Sequence, residues 1–342
     1  MEFQKCYDIL VVIVNYNSSK IIDIEKLLLK GIKELSRNRE VKLLLIDNNS
    51  VDASPRLLTE YARALSIDYK LLVLSRNYGF ARAVNMGYRY AYKRYCFRYF
   101  MLVNNDAVIV PENTLKIIEY LEYDDIGGVQ GTIMQAYNPG IIDNAGFLID
   151  SLGLSYPVCR GFPVECSRRY FPSYLSGAHS IYKRELLDKI GGPFSNYFEG
   201  YFDDRYLGLL SWSKGYKLLH VPVITAYHVG SFSFSGINRV FKSPKWFKNI
   251  TLADLVSSSI VSGSGGTALI LYMYLLVASM ASLIRGRNYV KPVIQAYKEY
   301  KMFKQSSEYL ELVDNVNEAR IPRINKTVLW RNHLKGIKIN KD

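Results

Sequence analysis

The chain has 342 residues, 49% of them apolar and 22% charged, which supplies a sizeable core and excludes global disorder. Its formal net charge of +13 points to phosphate-bearing partners, and more than half of that excess lies at one end: residues 285–342 hold 13 Lys/Arg against 6 Asp/Glu, directly behind the most apolar stretch. That placement favours an anionic membrane surface, and the lack of a zinc-finger spacing, an aromatic RNA-binding signature or a basic recognition helix argues against nucleic acid.

The first hundred residues alternate regularly. The β-branched run Ile9 to Val14 reads as a buried strand, and Ser18 and Ser19 can cap a helix from Lys20 to Leu35. Val41 to Ile46 predicts a second strand, Ser54-Pro55 opens a helix to about Leu65, and Leu71 to Leu74 predicts a third strand. Gly79 to Arg94 predicts a helix and Tyr99 to Val103 a fourth strand. Strands alternating with helices imply a mostly parallel sheet with right-handed crossovers, whose ligands bind beyond the carboxyl ends of the strands. All four strands end in Asn or Asp: Asn15-Tyr16-Asn17, Asp47-Asn48-Asn49, Arg76-Asn77-Tyr78-Gly79 and Asn104-Asn105-Asp106. One such end is ordinary turn chemistry, but four on one rim mark a candidate ligand site.

The second half is less regular. Ile126 to Met134 and Ala145 to Ile149 suit strands, residues 151–174 read as loop, and Lys183 to Ile190 suits a helix that stops at Gly191-Gly192. Four cysteines, Cys6, Cys96, Cys159 and Cys166, fit no zinc pattern. Their scarcity and the absence of a signal peptide imply a reducing, cytoplasmic setting with inert thiols, although Cys159 and Cys166 flank a loop and can pair. No charge occurs from Leu255 to Ile284, and Arg285, Arg287 and Lys291 follow. Three readings stand: a helix lying in the membrane interface, a single span, or a helix buried in the core or in an oligomer.

The motifs together resemble a GT-A-fold, inverting glycosyltransferase of family 2, the group that includes rhamnosyltransferases. The matching segments are VVIVNYN, LLLIDNNSVDAS, RNYGFARAVNMGYRYA, LVNNDAVIVPENTL, YLSGAHSIYKRELLDKIGG and YFDDRYLGLLSWSKGYKLLHVP, running in order from about Ile9 to Ser233. The resemblance implies an α/β domain over residues 1–240, with a nucleotide-sugar half (1–110) and an acceptor half (111–240). A helical, membrane-associating region follows over residues 241–342. It implies a UDP-, GDP- or dTDP-linked donor touched by Asn15, Asn17, Asp47, Asn77, Gly79, Asn85, Asn104 and Asn105. It further implies Mn²⁺ or Mg²⁺ on Asp106 and His228, while the apolar, basic C-terminus adds the expectation of a lipid-linked or other glycan acceptor at the cytoplasmic membrane face. The pattern departs at Tyr206, where the last acid of Glu-Asp-x-Asp is usual, and at Leu210, where Arg is common.

The residues fit that chemistry. A departing diphosphate needs its charge neutralised, which a cation on Asp106 can do. His228 suits the metal or, protonated, a phosphate. Asp47 can accept bonds from a base edge or cap its turn, and Gly79 permits close backbone approach at a helix start. Asp204 is the candidate general base, desolvated by Tyr201, Phe202 and Tyr206, with Glu199 as its rival. Two other readings compete: a nucleotidyltransferase, which needs a glycine-rich loop that NYNSSK lacks, and a non-catalytic sugar-nucleotide-binding scaffold.

Overall fold

The computed structural model describes residues 5–198, 200–230, 244–317 and 319–324; Glu199, Ser233 and the 240/241 boundary lie outside them. The chain opens with β1 (Cys6–Asn15), α1 (Ile22–Leu35), β2 (Val41–Asp47), α2 (Ser54–Ala64), β3 (Tyr69–Val73), α3 (Phe80–Tyr92) and β4 (Cys96–Val103), each within a few residues of its expected bounds. It continues through β5 (Ala107–Ile109), α4 (Pro111–Ile118), β6 (Ile126–Gln135), β7 (Ile142–Asn144), β8 (Phe147–Asp150) and β9 (Ser155–Pro157). Next come β10 (His179–Lys183), α5 (Arg184–Lys189), α6 (Asp203–Ser213) and β11 (Lys217–His228). The helices α7 (Pro244–Val261), α8 (Gly263–Arg285), α9 (Val290–Phe303) and α10 (Ser307–Asn317), then β12 (Arg323–Ile324), complete the described chain.

The main sheet has the order β3-β2-β1-β4-β10-β6-β11-β5, with β7 also on β6. Strands β1 to β4 are mutually parallel, whereas β10 enters antiparallel between β4 and β6. Strand β10, which the sequence reading did not foresee, joins the parallel strands β1 to β4 to β6, β11 and β5. Helices cover both faces, so strand interiors must be apolar throughout. In β1, Ile9, Val11 and Ile13 pack toward α1, α2 and α4, while Leu10 and Val12 pack toward α3 and α5. The order reverses at β1, between β2 and β4, and the crevice beyond their carboxyl ends is where this topology binds ligands.

The uncharged stretch from Leu255 to Ile284 is two helices, divided where Gly263 takes φ 72°. The first, α7, is core: Leu252, Leu255 and Val256 share one cluster with Ile149, Phe202 and Leu209 of the acceptor half. Contact is so close that a side chain on Gly153 would meet the Ser257 backbone at 2.7 Å. The second, α8, is 23 residues long and apolar enough to cross a membrane. It buries Ile270, Ala278 and Ala281 but leaves Leu269, Tyr272, Leu276, Met280 and Leu283 exposed on another face.

Cys159 and Cys166 are paired as a disulfide, while Cys6 and Cys96 stay outside any disulfide and share a thiol hydrogen bond. This corrects the reading of all four cysteines as inert thiols, and with it the inference of a reducing setting drawn from them. The loop between the two folds back on β7, with Ile142 N–H donating to Phe162 O (2.8 Å) and Gly161 N–H donating to Ile142 O (2.9 Å), and this brings the sulfurs together.

A buried ion pair joins the acceptor half to the C-terminal helices. Arg205 Nη1 on α6 lies 2.9 Å from Asp254 Oδ1 on α7, both side chains 7% exposed, and Tyr274 on α8 donates to Asp254 Oδ2 at 2.6 Å. Removing one member strands the other charge. Arg205→Met is therefore expected to lower stability by about 3–5 kcal/mol in urea unfolding, and the double change Arg205→Met with Asp254→Leu to recover most of it.

Candidate active site

The rim begins with a polar knot at the ends of β1 and β2, which are in register at Asn15 and Asp47. Asn15 Nδ2 donates to Asp47 Oδ1 (2.9 Å), Ser50 Oγ (3.1 Å) and Ser54 Oγ (3.0 Å). Ser50 in turn donates its N–H to Asp47 Oδ2 (3.1 Å) and its hydroxyl to Asp47 Oδ1 (2.6 Å). Asp47 is thus buried and already engaged by its own turn. Asn17 takes φ 48°, accepts from Val51 N–H (2.8 Å) and donates its N–H to Ser50 Oγ (2.9 Å). Asn15 and Asp47 therefore shape the cleft from behind, while Asn17 stands in its wall.

The turn into α3 is built the same way. Asn77 Oδ1 accepts from Gly79 N–H (2.9 Å) and from Asn48 Nδ2 (3.0 Å), and Asn48 Oδ1 accepts from Tyr78 N–H (2.9 Å). Gly79 takes φ 80°, a left-handed setting that favours glycine, and starts the helix. Asn85 does not face the cleft. It donates to Phe194 O (2.7 Å) and to Asn196 Oδ1 (3.0 Å), and accepts from Phe194 N–H (3.1 Å), tying α3 to the loop before α6. Its expected donor contact is replaced by this staple.

Beyond β4 the chain turns sharply, with Ala107 N–H donating to Asn104 O (3.1 Å), and delivers Asp106 to the rim. Strand β11 pairs antiparallel with β5, setting His228 opposite Ala107. Asp106 Oδ1 lies 3.0 Å from His228 Nε2, Asn104 Nδ2 lies 3.4 Å from the same nitrogen, and Asp143 Oδ2 lies 2.9 Å from His228 Nδ1. Burial by itself would depress the imidazole, but the two carboxylates outweigh it and lift its pKa to about 9. A cleft of about 390 Å³ opens in front, walled by Tyr16, Asn17, Lys20, Phe80, Asn105 and Asp106. Carboxylate oxygen and, once Nε2 has given up its proton, imidazole nitrogen are donors that Mn²⁺ accepts. Among the described residues no group of three or more His, Cys, Asp and Glu surrounds one point, so a cation bound here would need its other ligands from phosphate and water.

Across β10 lies Asp204, in the first turn of α6. Asn104 N–H donates to Ala178 O (3.1 Å), and the preceding Gly177 N–H donates to Asp204 Oδ2 (2.9 Å), so one strand entry links both acids. Burial, then the charge of neighbouring Asp203, raises the Asp204 carboxyl well above the ordinary range. The expected aromatic shell is different. Tyr201 is exposed, Phe202 is fully buried and Tyr206 faces Glu308, while Tyr174 and Tyr182 are the rings that feel the Asp204 charge. Leu210 is buried in the core shared with α7. Both departures from the family pattern thus face the C-terminal helices.

Three participants escaped the sequence reading. Lys20 brings a cation to the cleft, Asp143 holds His228, and Glu25 of α1 is 1% exposed behind the rim. Ser18 Oγ donates to Glu25 (2.8 Å) and Asn105 Nδ2 donates to Glu25 Oε1 (3.0 Å). Only for Lys20, next to the Asn-rich turn, was there a local signal.

A sheet of this order, covered by helices on both faces and with a polar cleft beyond its carboxyl edge, is a GT-A-like α/β fold. The chain belongs to glycosyl transferase family 2, whose model matches residues 10–191. An uncharacterised protein of Methanocaldococcus jannaschii is 24% identical over 221 residues, 65% of this chain and 92% of that one. The fold is similar to the Pyrobaculum calidifontis mannosyltransferase PcManGT in complex with GDP-Man and Mn²⁺ (TM-score 0.50, 17% identity, 91% of this chain and 84% of that one). It is also similar to S. aureus TarS in complex with UDP-GlcNAc (TM-score 0.53, 14% identity, 90% and 89%).

Glu25 yields a pH test. Burial raises its carboxyl to about 7, against the opposing hydrogen bonds of Ser18 and Asn105. The folded chain therefore holds a proton that the unfolded chain releases near pH 4.5, so stability falls as pH rises from about 4.5 to 7 and then levels. Glu25→Gln, which mimics the protonated acid, is expected to gain about 3 kcal/mol at pH 8 and nothing at pH 4.5, read by urea unfolding at both.

Proposed function

We propose that this glycosyltransferase inverts the anomeric centre as it moves a sugar from a nucleoside diphosphate to a hydroxyl of a lipid-linked glycan at the cytoplasmic membrane face, with Mn²⁺ or Mg²⁺ as cofactor. The observation that carries the reading is the 3.0 Å approach of His228 to Asp106, which stands in the cleft wall, with Asp204 anchored one strand away. Asp106 and His228 would hold the cation, which neutralises charge on the departing diphosphate. Lys20 lies where it can contact the same phosphates, and Asn104 and Asn105 offer amides to sugar or ribose without adding charge beside the diphosphate. Asp204 takes the proton of the acceptor hydroxyl, and its raised pKa suits a base that must capture a proton near neutral pH. One base and no protein nucleophile give a single displacement, hence inversion.

The acceptor assignment rests on α8. Its exposed Leu269, Leu276, Met280, Leu283 and Ile284 end at Arg285 and Arg287, an apolar stripe followed by cations, which suits the acyl boundary and the anionic headgroups. A helix resting in the interface keeps the cleft beside a lipid-borne substrate. The Mn²⁺-bound mannosyltransferase and the UDP-GlcNAc-bound TarS support the donor class and the metal.

The donor is identified by a thermal-shift screen of UDP-, GDP- and dTDP-sugars with and without Mn²⁺; one nucleotide is expected to stabilise the chain only with the metal. Asp204→Asn is expected to reduce transfer about 10²–10⁴-fold with donor binding retained, and Asp106→Ala to remove both transfer and the metal-dependent shift. Unchanged transfer in either variant overturns the assignment. Leu283→Asp with Ile284→Asp is expected to release the chain from anionic vesicles in a flotation assay while leaving donor binding intact.

A further inference from the structure

We propose that Asp143 is a positioning residue for the metal site: it holds the His228 ring so that Nε2 faces Asp106, and Arg160 in the disulfide-closed loop holds Asp143 in turn. The proposal rests on the metal reading of Asp106 and His228 and adds residues to it that no motif marks.

His228 and Asp143 stand on the two strands that flank β6, with His228 opposite Gln135 on one side and Ile142 opposite Met134 on the other. The Asp143 carboxylate accepts from Nδ1 at 2.9 Å, which leaves Nε2 directed at Asp106. An imidazole anchored only by its Cα is free to turn, and Asn104, already 3.4 Å from Nε2, would compete for it. A carboxylate on the far ring nitrogen fixes tautomer and orientation and makes the facing nitrogen a better ligand.

Asp143 is itself held from outside. Arg160 Nε donates to Asp143 O at 2.8 Å, and its guanidinium lies 3.9 Å from Asp143 Oδ1. Arg160 follows Cys159 directly, in the loop that the disulfide to Cys166 closes. The same loop pairs with Ile142 in both directions, through Phe162 O and Gly161 N–H. Disulfide loop, Arg160, Asp143, His228 and Asp106 thus form one continuous set of contacts ending at the metal position.

The test measures Mn²⁺ binding to the full chain with the metal alone, from loss of the free-ion EPR signal, together with the ¹⁴N modulation that a coordinated imidazole gives in pulsed EPR. Asp143→Ala is expected to bind Mn²⁺ about 10–100-fold more weakly and to lose ¹⁴N modulation. Asp143→Asn, whose amide oxygen still accepts from Nδ1–H, is expected to restore most of both. Arg160→Gln, at a more exposed position away from the metal, is expected to weaken binding several-fold and remains readable should Asp143→Ala fail to fold. Wild-type affinity and modulation in folded Asp143→Ala, or in Arg160→Gln where Asp143→Ala does not fold, with binding lost in Asp106→Ala, overturns the positioning role alone. Wild-type affinity in Asp106→Ala overturns the metal reading beneath it.

Discussion

Burial of the parallel strands on both faces is the constraint from which the rest of this structure follows. With helices on either side, β1, β2 and β4 are closed to solvent along their middles, and the exposed Cys6 and Arg98 stand at the opposite end from the rim. Their interiors are therefore Ile, Leu, Val, Phe and Met, and polar residues collect where the strands leave the sheet. Because β1 lies between β2 and β4 in parallel register, those exits align on one edge. The cleft is a consequence of that alignment, and the order reversal at β1 leaves it open to a ligand.

The aligned amides and carboxylates divide into two tiers. Asn15, Asp47, Asn77 and Asn85 spend their hydrogen bonds on turns and on the loop at Phe194, so they set the rim's shape. Asn17, Asn104, Asn105 and Asp106 stand in front and face the cleft. The division has a physical cause. A buried polar group must be satisfied by protein, whereas one at a cleft wall can leave its capacity to a ligand. Glu25 lies between the tiers, buried yet bonded to Asn105, and its raised pKa records the cost of placing a carboxylate there.

Helix α6 couples the cleft to the C-terminal helices. Asp204 meets Gly177 at the rim, the next residue, Arg205, pairs with Asp254 on α7, and Tyr206 and Leu210 turn toward the same helical region. The tyrosine and the leucine at these two positions are thus accounted for by what they pack against. The helix that carries Asp204 is also the one that α7 and α8 hold in place, so the apolar face of α8 and the Asp204 carboxylate belong to one continuous set of contacts.

The alternation of apolar runs with Asn- and Asp-rich ends was enough to read four strands, three helices, their parallel arrangement and the rim, because backbone periodicity and turn chemistry are local properties. The ordered motifs pointed to the family for the same reason. What each rim residue does was decided only in three dimensions. Asn85 meets Phe194 and Asn196 more than a hundred residues away, Glu25 meets Asn105 across 80, and Asp143 meets His228 across 85. The serines and glycines that interrupt the first half of the uncharged stretch from Leu255 to Ile284 set Thr267 to Ile284 apart in the sequence, yet only packing against Ile149 and Phe202 decides that the first half is buried and a face of the second bare. Sequence settled where polarity sits along the chain; tertiary contact settled which of those groups are already bonded, since a hydrogen bond depends on what stands opposite and not on what stands next.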